Sequence, residues 1–355
     1  MPSSGVHLRW YCGYVFTRST KRWNVTVSLR IPNAIRRGLL ALSAGLPLLL
    51  ASGLPAQAAS HQANPDWFGP RLLPNYRIIS YYGNPLSPYM GVLGSGTPQQ
   101  VIARLRQQEA AWVAADPTHP TIGALELVAV VAQRSPGPNG YYSLRMPYSL
   151  IEQELQIARQ NHLLLILDVQ IGHATVQSEV QYLEPFLKQP DVELALDPEF
   201  AMKPGGIPGI EFGSMPTPPI NWALSYLHNL VVKYHLPQKI MILHQFIQSM
   251  VPDWQGIKEQ PHVVLVRDMD GFGGQQLKMM EYEMFIHQEA IPYTASITPL
   301  PGQTTGVLNE AVAVHYQNAS FVAGGIKLFY TQDHPLMSPS TVLTLDPKPL
   351  VVIYQ

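Results

Sequence analysis

Four apolar runs in this 355-residue chain each break off on polar residues: LLLILDVQ on Asp168 and Gln170, VELALDPE on Asp197 and Glu199, KIMILHQF on His244 and Gln245, and HVVLVRDMD on Asp268 and Asp270. A strand buried on both faces reads as a continuous apolar run, and such strands belong to parallel sheets covered by helices. In barrel and doubly wound enzymes the chemistry sits at the carboxyl ends of those strands. The polar endings therefore predict an acid-lined site at one end of a parallel sheet.

Between the runs the pattern is helical. TPQQVIARLRQQEAAWVAAD places Thr97 as N-cap, Pro98 at the first helical position, and Val101, Leu105, Trp112 and Val113 on an apolar face. SLIEQELQIARQNH pairs Ser149 with Glu152 at the spacing of a capping box. INWALSYLHNLVVKYH and GQQLKMMEYEMFIHQE read as helices too, and PNYRIISYYG, IGALELVAVVAQ, GGIKLFY and LVVIYQ bring the strands to eight. Eight strands with helices interposed over roughly 280 residues match the count and size of an α/β fold of the (β/α)8 barrel type. A doubly wound open parallel sheet is the alternative. AIPYTASITPLPGQTTG reads as an insertion loop and VLNEAVAVHYQ as a helix after it.

Charge is unevenly spread. The formal net charge is −1, yet residues 1–58 hold seven basic residues and no acid, which leaves 16 Lys and Arg against 24 Asp and Glu beyond. That acid excess argues against a nucleic-acid partner, which would need a basic stripe, and is compatible with neutral or cationic ligands. Arg30, Arg36 and Arg37 precede the apolar GLLALSAGLPLLLASGL and then Ala56-Gln57-Ala58, which are the parts of a secretory signal peptide. Cleavage is expected after Ala58. An uncleaved anchor is the alternative, and only then would the chain touch a membrane. Residues 1–29 are longer and more aromatic than such a leader needs, so translation is expected to begin nearer Leu29. Cys12, the single cysteine, lies in this prefix, and the secreted or extracytoplasmic part then has neither a disulfide framework nor a thiol nucleophile. The expected organisation is a basic prefix and signal over 1–58, a linker over 59–75 and one barrel domain over 76–355.

Alternation along a strand places Asp168 with Gln170, Asp197 with Glu199, and Asp268 with Asp270 on common faces. Charges are cheaper in the barrel mouth than under helices, where Tyr82, Glu126, His244, Lys327 and Tyr330 are positioned to join them. Two carboxylates across one cleft meet the need of glycosidic bond hydrolysis for a proton donor and a base or nucleophile. Glu199, crowded by Asp197 and apolar walls, is the expected acid, with Asp168, Asp197 or Asp270 as its partner. His244, Gln245, Gln170, Tyr82, Asp268 and Tyr330 are the expected substrate contacts, and Tyr81, Tyr82, Trp222 and Trp254 the aromatics available for stacking on sugars. Asp197-Pro198-Glu199 is equally the pattern of a helix start. No metal and no cofactor is implied: Asp268-Met269-Asp270-Gly271 lacks the full calcium-loop spacing, and HExxH, GxSxG and phosphate-loop motifs are missing.

The order of YYGNP, LILDVQ, LALDPEF, ILHQF and DMDGFGG resembles a group of uncharacterised exported bacterial proteins with (β/α)8 barrels similar to glycoside hydrolases. The resemblance spans nearly the whole exported part, and it implies fold more than activity. Asp197 and Glu199 match the D-x-E ending of chitinase-like barrels, whose Glu is the acid. Glu193 and Ala195 stand where that signature has its earlier acids, and no Trp ends the last strand, which argues against substrate-assisted chitin cleavage. The expected function is acid–base cleavage of a cell-wall or environmental polysaccharide. A barrel that binds carbohydrate or cell-wall polymer without cleaving it is one alternative, and a metal-assisted hydrolase using His244 with Asp168 and Asp270 is another.

Overall fold

The computed structural model describes residues 69, 71–287 and 322–355. Within them nine strands form one sheet: β1 (Arg77–Gly83), β2 (Thr121–Ala132), β3 (Ser143–Arg145), β4 (Leu164–Val169), β5 (Val192–Leu196), β6 (Lys239–Gln245), β7 (Val263–Met269), β8 (Val322–Leu328) and β9 (Val351–Tyr354). All but β3 are parallel, in the order β1-β2-β4-β5-β6-β7-β8-β9. β1 pairs with β2 on one side and β9 on the other, which closes an eight-stranded barrel. The open-sheet alternative falls with that closure. β3 is a short antiparallel strand on the end of β2 that the sequence pattern does not announce.

The strands form where the runs are continuously apolar because each is covered twice. In β4, Leu164 to Leu167 are all buried, as are Ile240 to Leu243 of β6 and Val263 to Val266 of β7. The outer layer contains α1 (Pro98–Ala115), α2 (Tyr148–Gln160), α3 (Val176–Tyr182), α4 (Glu184–Leu187), α5 (Thr217–Tyr234), α6 (Gln275–Tyr282) and the short α7 (Pro339–Val342). α1 starts as its sequence suggests, with Thr97 and Gln100 exchanging capping-box hydrogen bonds. The box expected at Ser149 and Glu152 is not formed. α2 begins two residues earlier than that box requires, with Pro147 at the N-cap, so Ser149 already lies inside the first turn. Leu72 and Leu73, within the stretch expected to be a linker, are buried in the core. The signal segment, the suggested start near Leu29, the insertion loop at 290–306 and the helix at 307–317 lie outside the described residues.

One helix carries a built-in destabilising charge. α2 buries Ile151, Leu155 and Ala158 against the barrel, and Glu154 falls on the same stripe with no charged or hydrogen-bonding partner among the described residues. Burial alone pushes its carboxyl up to about 7. A carboxyl that holds its proton more tightly when folded costs stability as pH rises from its unfolded value through about 7. Glu154→Gln should therefore stabilise the protein by about 2–3 kcal/mol at pH 8 and by nearly nothing at pH 4, at roughly 1.4 kcal/mol per pKa unit. Urea unfolding at the two pH values checks this; equal effects at both would remove the charge as the cause.

Candidate active site in the barrel mouth

Alternation along the strands sends one set of side chains into the barrel. The register sets Tyr82 beside Glu126, His244 beside Asp268, and Asp268 beside Gly325. Gly325 is needed there, because a Cβ would come within 2.9 Å of Asp268 Oδ1. Glu126, Asp168, Asp268 and His244 are fully buried, Asp197 and Lys327 nearly so. Six carboxyls, counting Glu199 and Asp270, thus gather around the imidazole of His244 and the ammonium of Lys327.

Hydrogen bonds knit this cluster. His244 Nδ1 lies 2.9 Å from Asp268 Oδ2 and Nε2 lies 3.0 Å from Glu126 Oε1, with Asp168 Oδ1 and Asp270 Oδ2 each 3.9 Å from the ring nitrogens. Ser80 donates to the other Glu126 oxygen at 3.4 Å. Lys327 Nζ donates to Asp270 Oδ2 at 3.0 Å and sits 3.9 Å over the Tyr82 ring. The Tyr82 hydroxyl donates to Asp168 Oδ2 at 3.1 Å and accepts from Gln170 Nε2 at 3.1 Å. Gln170 also reaches Asp197 Oδ2 at 3.4 Å and is held by the Ala132 N–H on its own oxygen.

Asp197-Pro198-Glu199 serves both of the readings its sequence allows. Asp197 Oδ1 accepts the Glu199 N–H at 3.3 Å and caps the 3-10 turn Pro198–Phe200. Glu199 lies within that turn as a half-buried residue, and its carboxyl feels the charges of Asp197, Asp270, Lys327 and His244. No described residue donates a hydrogen bond to that carboxyl. Burial, with repulsion from Asp197 and Asp270, holds its pKa well above the ordinary carboxylate range. Asp168 is pushed up to about 8, chiefly by burial, with Asp197 and Glu126 adding to it and His244 and Lys327 opposing. Asp270 reaches only about 6, because the Lys327 ammonium and His244 offset much of its burial. Burial raises Asp197 as well.

The remaining expected contacts go elsewhere. Gln245 follows the inward His244 and so faces the outer wall, where its Oε1 accepts from Arg267 Nε at 2.9 Å and Nη2 at 2.7 Å. Tyr330 packs on the outside of the barrel, stacked on Tyr354 and bonded to Tyr81 and Gln108. Of the aromatics expected to stack on sugars, Tyr81 lies in that outer cluster, Tyr82 is covered by Lys327, Trp222 stacks on Tyr226, and Trp254 lies 3.8 Å beneath Arg267. Exposed rings instead sit on loops after β1, β2 and β7: Tyr89 is 60 % exposed, Tyr141 43 % and Phe272 40 %. Their loops lack any strand or helix period, so only their place after the strand ends marks them.

His244, Asp268 and Asp270 bring one ligand-type atom each within 4.8 Å of one another, and Asp268 Oδ1 and Asp270 Oδ1 have no hydrogen-bond partner among the described residues. The Lys327 ammonium, 3.0 Å from Asp270 Oδ2, already places a positive charge beside these acids. No protein-family model matches the chain, and neither does any curated protein.

Proposed function

We propose that this protein hydrolyses glycosidic bonds, with Glu199 as general acid and Asp270 as its ionised partner. One observation carries the reading: of the six acidic residues in the mouth, Glu199 is half-buried and Asp270 8 % exposed while the others are exposed by 2 % or less, and the surroundings of the two drive their protonation apart. Glu199 has no donor among the described residues and keeps its proton, whereas Asp270 is tied to Lys327 and loses its own. Splitting two carboxyls in this way separates acid from base in one site. Glu199 gives its proton to the leaving glycosidic oxygen. The Asp270 carboxylate then either attacks the anomeric carbon or takes a proton from the water that does. Asp168 and Asp197, enclosed and hydrogen-bonded, hold Tyr82, Gln170 and the Glu199 backbone in place.

The exposed Tyr89, Tyr141 and Phe272 suit the apolar faces of a sugar chain, and the acid excess of the domain suits a neutral or cationic one. The reading is of an exported enzyme acting on cell-wall or environmental polysaccharide. Its pH profile follows from the two groups. Activity should fall below about pH 6 as the cluster around Asp270 takes up a proton, and fall again only above the raised pKa of Glu199 as the acid ionises. Release of reducing ends from a panel of polysaccharides, followed from pH 4 to 10, tests this. Binding without cleavage across the panel would replace the enzyme by a glycan-binding barrel, and an acid limb near pH 4 would remove Asp270 as the partner.

A further inference from the structure

His244 is a buried titratable group that the acid–base cycle above does not consume. It lies at the centre of the cluster, faced by the edge of the Tyr82 ring from β1, Glu126 from β2, Asp168 from β4, Asp197 after β5, Asp268 and Asp270 from β7 and its end, and Lys327 from β8. Both of its nitrogens meet a carboxylate oxygen at hydrogen-bond distance. A neutral imidazole has one N–H and one lone pair, so it satisfies one of these contacts and sets a lone pair against the other carboxylate. Only the doubly protonated ring donates to both. Its two partners come from strands on different sides of the barrel, which clamps the ring in the middle of the mouth.

We propose that His244 is a positioning residue: an imidazolium clamped between Glu126 and Asp268 whose charge, 3.9 Å from Asp270, keeps that carboxylate ionised. The role rests on the reading of Asp270 as the base. Burial and the Lys327 ammonium oppose charge on the ring, but the hydrogen bonds to Asp268 and Glu126 outweigh them and hold its pKa well above the ordinary histidine range. Lys327 donates to the same Asp270 Oδ2 at 3.0 Å, so two cations act on that one oxygen. His244 itself is fully buried, which leaves it no direct contact with a substrate in this arrangement.

Two measurements on the whole protein test this. Nitrogen NMR of histidine-labelled wild type should show, among the twelve histidines, one imidazolium with both nitrogens protonated at about pH 8, where an ordinary histidine is neutral. A neutral ring at that position, or a resonance that changes on chelation and so reports a metal held with Asp268 and Asp270, would overturn the proposal. His244→Gln should then move the acid limb of glycan hydrolysis upward by about one pH unit or more, an activity loss of about tenfold on that limb that fades at higher pH. An acid limb left in place overturns the link to Asp270. If the wild type cleaves no glycan, the enzymatic reading and the role in holding Asp270 fall together, while the spectrum still decides the charge on His244. The spectral arm needs no variant, so it stands even if His244→Gln does not fold.

Discussion

Glu199→Gln is expected to lower glycan hydrolysis by about 10²–10⁴-fold while leaving the protein folded and at least as stable. Glutamine keeps the shape of the side chain and removes the proton that the leaving oxygen needs. The stability expectation follows from the same surroundings, because a carboxyl pressed by burial and by Asp197 and Asp270 gains from losing its ability to ionise. The loss should depend on the leaving group. A substrate with an activated aryl leaving group needs little protonation, so Glu199→Gln should retain far more of its rate on it than on a natural glycan. Measuring kcat/KM for both substrates decides the role: a uniform loss assigns Glu199 to binding, and equal activity in variant and wild type removes it from the mechanism.

Much of this arrangement was legible before any coordinates, for particular reasons. The eight barrel strands stand out because both faces of each are buried, which turns LLLILDVQ and HVVLVRDMD into continuous apolar runs that end at polar residues. Closure into a barrel depends on the pairing of β1 with β9, a contact between the two ends of the domain that no local pattern records. Asp168, Asp197, Glu199, Asp268, Asp270 and His244 come together because each sits on the inward period of its strand or just past it. The same period explains the placement of Gln245: two adjacent strand residues cannot both face the mouth, and His244 takes the inward place. Trp254 and Trp222 could not be placed from sequence, since an aromatic in a loop or helix is buried or exposed according to what covers it. Arg267 covers the first and Tyr226 the second. The clamp on His244 was hidden for a related reason, because Glu126 and Asp268 are 118 and 24 residues away from it along the chain.

Lys327→Met should cost about 3–5 kcal/mol of stability at neutral pH, the range for removing one member of a buried ion pair and leaving the other charge uncompensated. Methionine replaces most of the aliphatic stem, so the loss is chiefly electrostatic. Lys327 is almost fully buried; desolvation opposes its charge, yet Asp270, Glu126, Asp268 and Asp197 together hold its pKa above the ordinary lysine value. Without it, those carboxyls lose the ammonium that faces them, and Asp270 Oδ2 loses its donor. The cost has a definite pH dependence. Asp270 in the wild type ionises at about 6, and loss of the ammonium moves that value further up, so below about pH 5 the carboxyl is protonated in the variant and the missing partner matters less. Denaturant unfolding at pH 7 and at pH 4.5 should therefore show a large destabilisation that shrinks on acidification. Equal losses at both would point to packing over Tyr82, which Lys327 covers at 3.9 Å. The double variant Lys327→Met with Asp270→Asn separates the two causes further: if the unpaired charge is the cost, neutralising Asp270 should restore most of the stability that Lys327→Met removes, while activity stays lost with the base.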